Sequence, residues 1–160
     1  MKELDRCIGD IIEFRGHENI LARHGNTIEV TKDEEVSKRG DCIVGVDATK
    51  GCEDLNPLLK HYIRGSGLLS FAIVVGKLRF SFLGRGSTAL ELTHPRELVL
   101  RKSNFASPRT AAVLCDAAAI DIPRNIIQKL QNPNTVGSLC ITAIDESQTT
   151  ASSNPMLQIV

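Results

Sequence analysis

Three of the chain's four histidines and five of its basic side chains could do chemistry at their positions. His24 and His94 stand 70 positions apart, each directly before a turn signal, Gly25-Asn26 or Pro95-Arg96, and His17 lies seven residues before His24. Imidazoles at matching strand ends near a twofold axis suit a zinc-like ion, although such an ion takes three or four ligands and no short-range pair supplies them. The same rings suit a general acid–base, or a structural task, capping a turn through bonds to its backbone. The basic residues Lys32 and Arg39, and Lys102 and Arg109, flank two polar loops, with Arg101 beside the second. Doubled by symmetry, they would clamp a phosphate or carboxylate. The alternative is an internal staple, Arg39 to Asp47 or Asp41 and Arg109 to Asp116, which fixes each loop without binding anything.

Other chemistries lack support. No G-x-S-x-G is present, and no cysteine sits beside an obvious base. The five cysteines are scattered with no C-x-x-C, which is neither a disulfide framework nor a zinc site. Gly84-Arg-Gly86-Ser-Thr-Ala89 spells a dinucleotide fingerprint, but the alternation after it signals a strand where a helix is required. Arg39-Gly40-Asp41 spells an adhesion tripeptide, and its glycine reads as a turn. Aromatic content of 4% leaves few stacking platforms, so nucleic acid is disfavoured as a partner. No apolar run approaches the ~20 residues of a membrane span, and the acids of the first six residues do not suit a secretory leader, so a cytoplasmic location is expected. Net charge is zero but uneven. Residues 1–62 hold nine Lys/Arg against thirteen Asp/Glu, and residues 77–111 hold seven against two. That asymmetry favours an anionic ligand or association of two copies, acidic half to basic half.

The elements that position these residues recur. At an offset of 70, Arg15-Gly16 matches Arg85-Gly86, and Ile20, His24, Ile28 and Lys32 match Leu90, His94, Leu98 and Lys102. Shorter offsets then bring Asp47-Ala48 onto Asp116-Ala117 and Phe71/Ile73 onto Leu139/Ile141. Alternation predicts a leading strand over 11–15 and 78–83, and a β-hairpin built from 20–24 with 28–30, and from 90–94 with 98–100. A third strand follows over 42–46 and 111–115. Asn56-Pro57 and Asp121-Ile122-Pro123 predict the starts of two short helices. Closing strands follow over 68–75 and 138–144, with Gly76-Lys77 as the turn joining the halves. The expected fold is mainly β with α+β character: about ten strands and two short helices in a two-sheet sandwich or barrel-like domain with an internal pseudo-twofold duplication. Residues 1–144 read as a single domain built from repeats 10–76 and 77–144, and 145–160 as a flexible tail. Strand parity also predicts largely buried rings for His24 and His94.

The residues Gly16-His17-Glu-Asn19, Arg39-Gly40-Asp41-Cys-Ile-Val-Gly45, His94-Pro95, and Arg101-Lys102-Ser103-Asn-Phe105 followed by Arg109-Thr110 resemble an archaeal family catalogued as domain of unknown function 371. The resemblance spans about residues 10–144 and is most specific from His94 to Thr110. It implies a mainly-β, two-sheet, cytoplasmic protein and no assigned activity. The chain departs from the family pattern at Arg85 and Ser87, where relatives carry histidines, and at Asp116-Ala117-Ala118-Ala119, where they carry an alanine–aspartate–lysine run. The expected function is a non-catalytic binding domain for a small anionic ligand, held by Lys32, Arg39, Arg101, Lys102 and Arg109. The alternatives are a hydrolase or lyase using His17, His24 and His94 with Asp41 or Asp47, with or without a metal, and a structural assembly protein. No cofactor is named by these residues.

Overall fold

The computed structural model describes residues 7–144. The tail expected at 145–160 lies outside them. Eight strands and two helices follow in the order β1 (Gly9–Arg15), β2 (Thr27–Thr31), β3 (Ile43–Gly45), α1 (Pro57–Arg64), β4 (Leu68–Val75), β5 (Leu78–Arg85), β6 (Glu97–Arg101), β7 (Thr110–Ala112), α2 (Arg124–Leu130) and β8 (Val136–Ile144). They form two four-stranded sheets, β1-β8-β4-β5 and β3-β2-β6-β7. Neither closes into a barrel.

Alternation builds the first sheet. Ile12 and Phe14 of β1 are buried while Ile11, Glu13 and Arg15 face out. Leu69, Phe71, Ile73 and Val75 of β4 and Leu139 and Ile141 of β8 point to the same interior, where Phe71 stacks on Phe82 of β5 at 5.1 Å. The interior face of the second sheet is Ile28 and Val30 of β2 with Leu98 and Leu100 of β6. All belong to one cluster of buried side chains, closed at its ends by the helices through Leu59 and Ile63, and through Ile126, Ile127 and Leu130. The α1 start is as the sequence predicts: the Asn56 side chain accepts the Leu58 N–H at 2.8 Å and Pro57 opens the first turn. Leu58 is exposed, because the turn of the helix gives the packed face to Leu59 and Ile63.

Pairing departs from the expected hairpins. Residues 20–24 and 90–94 are loops, because Ala22 and Leu92 take left-handed backbone (φ 50° and 56°), which ends any extended run. Ile20, Ala22, Leu90 and Leu92 are still buried, so the apolar parity was real and the strand was not. Their loss accounts for eight strands in place of about ten. Without the expected hairpin partner, β2 pairs antiparallel with β6, Thr27 to Arg101 through Thr31 to Glu97, and takes β3 as a parallel edge. The pairs β1–β8, β4–β8 and β4–β5 likewise join residues before Gly76 to residues after it. Only the short parallel pairs β2–β3 and β6–β7 lie within one half. Exchanging β1 with β5, β4 with β8, β2 with β6 and β3 with β7 returns the same two strand orders read from the opposite edge.

Candidate functional site

Two short 3-10 turns, Cys52–Asp54 and Ala119–Asp121, set the first pair of predicted cations. Asp54 Oδ2 accepts the Gly51 N–H at 2.9 Å, and Asp121 Oδ2 accepts the Ala118 N–H at 2.9 Å. Lys32 Nζ then lies 2.8 Å from Asp54 Oδ2 and Lys102 Nζ 3.3 Å from Asp121 Oδ2. Both carboxylates are held below their ordinary range, Asp54 first by the Lys32 hydrogen bond and Asp121 first by the Ala118 N–H. Both lysines thus have a carboxylate partner that sequence spacing did not suggest. Asp121, expected to start α2, caps this turn instead, and Pro123 precedes the helix.

The histidines share one geometry. His24 Nδ1 accepts the N–H groups of Asn26 and Thr27 at 3.1 and 3.2 Å, and His94 Nδ1 accepts those of Arg96 and Glu97 at 3.1 and 2.9 Å. His17 Nδ1 accepts the Asn19 N–H at 3.0 Å while its Nε2 faces Glu35 Oε1 at 2.9 Å. A ring nitrogen that accepts a backbone N–H carries no proton and has no lone pair left for a metal. Among the described residues, no group of three or more His, Cys, Asp or Glu is placed to hold one. His24 and His94 are half-buried, short of the expected burial, because each ring lies along a turn at the rim of the core. His17 is buried, in the wall of an acidic cleft of about 430 Å³ lined also by Glu18, Glu34, Glu35 and the Arg15–Asp47 pair.

The remaining predicted cations divide between a loop and the outer face of the second sheet. Arg39 is exposed, and among the described residues its guanidinium meets no partner. On the sheet, Thr27, Glu29 and Thr31 point away from Ile28 and Val30, yet all three are buried. The loops 32–42 and 102–109 return over them. Glu29 is 4% exposed. Arg109 Nη1 donates to Glu97 Oε1 at 2.6 Å and reaches Glu29 Oε1 at 3.5 Å. Cys42 Sγ donates to the same Glu29 oxygen at 3.4 Å. Arg101 donates from Nε to Thr110 Oγ1 at 2.8 Å and lies under the Phe105 ring at 4.9 Å. Burial first, then the charge of Glu97, lifts the Glu29 carboxyl above its ordinary range, with Arg109 pulling the other way. Burial and Glu29 push the Cys42 thiol up to about 11, so at neutral pH it is a hydrogen-bond donor and no nucleophile.

This geometry corrects the register of the loops. The Glu29 N–H donates to Cys42 O and the Val99 N–H to Arg109 O, both at 2.8 Å, so Arg109 takes the place of Cys42 and not of Arg39. The Thr49 N–H donates to Glu13 O and the Asp116 N–H to Leu83 O, so Asp116 takes the place of Thr49 and not of Asp47. Asp47 pairs with Arg15 at 3.6 Å, and Asp116 Oδ1 accepts the Leu83 N–H at 2.9 Å. Neither expected staple forms. Glu29 and Glu97, the carboxylates that face Arg109, escaped the sequence reading. The signal for Glu29 was its place between Thr27 and Thr31, one polar face of a strand whose other face is apolar.

A family model described as a domain of unknown function (DUF371) matches residues 12–145. An uncharacterized protein of Methanocaldococcus jannaschii, MJ0206, is 36% identical over 121 residues, covering 76% of this chain and 90% of the relative.

Proposed function

The chain belongs to the DUF371 family, a membership that assigns no activity, and we propose from its geometry that it is a non-catalytic binding domain for a small anion-bearing ligand. The observation that carries the reading is the half-used guanidinium of Arg109. It donates to Glu97 and Glu29 through Nη1 alone, and among the described residues Nε and Nη2 donate to nothing, on a side chain 41% exposed. Those two nitrogens form a planar fork that fits a carboxylate or phosphate. Arg101 adds a second cation, and Phe105, 59% exposed above it, offers an apolar surface to the rest of the ligand. Lys32 and Lys102 brace the loops around this face, and Arg39 is a peripheral contact. The catalytic alternative is less well supported, because each of the three candidate imidazoles already accepts a backbone N–H and the Cys42 thiol stays protonated. No helix of the described residues is long and apolar enough to cross a membrane. The five unpaired cysteines are in keeping with a reducing cytoplasm.

The same reading takes the scaffold as one domain made from a unit used twice. Its support is the list of counterpart bonds above, with the corner bridges Arg15–Val46 and Arg85–Val113. Titration calorimetry with inorganic phosphate, small phosphate monoesters and dicarboxylates tests the ligand site. At least one should bind the parent chain, Arg109→Ala should weaken it about tenfold or more, and Lys102→Ala should leave it unchanged. A parent chain that binds none of these anions ends the reading.

A further inference from the structure

The outer face of the first sheet is exposed along its edge strands, through Ile11 and Glu13 of β1 and Arg79, Ser81 and Leu83 of β5. Its centre is small and weakly polar: Ser70, Ala72 and Val74 of β4 beside Ser138, Cys140 and Thr142 of β8. Ile11 at one edge is 58% exposed and Leu83 at the other 42%. The helices turn Leu59 and Ile63, and Ile126, Ile127 and Leu130, to the core. Two sheets can pack face to face at about 10 Å, and side chains this small allow close approach.

The pairing registers run in rows across this face. Glu13 of β1 is level with Ser138, Ser138 with Val74, and Val74 with Arg79 of β5. One row therefore starts with an exposed acid and ends with an exposed base. Within one molecule they stand three strand spacings apart, about 14 Å, too far to pair. Among the described residues neither makes an ion pair, and Arg79 donates only to Ser81 Oγ, at 3.3 Å.

We propose that this face is the interface of a homodimer, in which a second copy packs its β1-β8-β4-β5 sheet on the first about a twofold axis parallel to the strands. That operation lays β1 of one copy over β5 of the other while keeping each row level. Glu13 then meets the partner's Arg79, and Arg79 the partner's Glu13, as an isologous contact requires. The centres interdigitate small residue against small residue. Four strands and about seven residues give a footprint of about 450 Å² per copy, or about 900 Å² for the pair, at the low end of specific interfaces. The expected complex is a reversible dimer with a dissociation constant on the order of micromolar. Glu13 comes from the acidic half of the chain and Arg79 from the basic half, so the charge asymmetry of the sequence acquires a geometric use.

Analytical ultracentrifugation of the full chain over a concentration series tests the proposal. The parent should pass from monomer to dimer, and Glu13→Arg or Arg79→Glu alone should weaken dimerisation about tenfold or more. The double variant E13R/R79E should restore it, because the swapped pair again meets across the axis. Both sites are exposed strand edges, so circular dichroism and melting should match the parent in all three variants. A parent that stays monomeric at every concentration overturns the proposal, and leaves the face to residues 145–160 or to a different protein. A dimer that is indifferent to both single changes overturns it equally.

Discussion

Lys32 and Lys102 both reach the aspartate of a 3-10 turn, and His24 and His94 both accept two successive backbone N–H groups, whereas Cys42 and Arg109 occupy one place with unlike chemistry. The difference follows from what each position faces. Turn-capping groups answer to the backbone beside them, and each of these four meets a turn of the same kind as its counterpart. Cys42 and Arg109 both face Glu29, and Arg109 also faces Glu97. One buried carboxylate near a second, Glu97, needs one cation. A second arginine at the Cys42 position would be desolvated without a carboxylate of its own. The supports recur, and the centre of the sheet does not.

The strongest way to break this comparison is at the glycines that begin the two loops. A Cβ on Gly16 would collide with the Leu130 carbonyl, and one on Gly86 with the Ile63 carbonyl. Gly16→Ala and Gly86→Ala should each cost about 3 kcal/mol in urea unfolding. Costs differing by more than about 1 kcal/mol would show that the two supports are not equivalent.

Arg109→Ala against Cys42→Ala sharpens the contrast. Losing Arg109 leaves two carboxylates without their cation, about 2 kcal/mol at pH 8, discounted from the fully buried case because Arg109 is 41% exposed. Cys42→Ala should cost about 1 kcal/mol or less. The sign with pH is set by Glu29, whose carboxyl titrates above its ordinary range in the fold. Its contribution is fully present below the ordinary carboxylate range and is lost as pH rises through the raised value, which moves higher still without Arg109. The Arg109→Ala deficit should therefore grow from pH 4.5 to pH 8. A deficit that shrinks over that range would show that Glu29 is not the group responsible.

A smaller effect than that of Arg109→Ala is expected at the histidines. His24→Ala and His94→Ala should each cost about 1 kcal/mol, equally, as lost turn caps. Nitrogen-15 NMR at pH 8 should find the proton of both rings on Nε2. His17→Ser should be milder than His17→Ala, because Ser87 already caps the counterpart turn, its Oγ accepting the Ala89 N–H at 3.1 Å. Protons found on Nδ1 would remove the capping role.

Elements defined within a few residues were legible from the chain alone. Period-two alternation marked β1, β4, β5 and β8, Asn56-Pro57 marked α1, and the match of Lys32 to Lys102 held in space. The match of Arg39 to Arg109 did not, because the loop from Lys32 to Cys42 is three residues longer than that from Lys102 to Arg109, and two arginines fell into register by letter only. Alternation through Ile20, Ala22 and His24 looked like a strand because burial has the same period whether or not the backbone is extended. A left-handed Ala22 leaves no trace in composition.

By itself, then, the sequence determined which faces are apolar, where turns fall, and that Asn56 caps α1. These are local consequences of side-chain type acting on the adjacent backbone. Only the tertiary structure decided that β2 pairs with β6, that Glu29 is covered by the two loops, and that Arg109 rather than Arg39 faces it. Strand partners and ion-pair partners are chosen by burial and distance between residues as far apart in the chain as Glu29 and Arg109, and no short-range pattern encodes that choice.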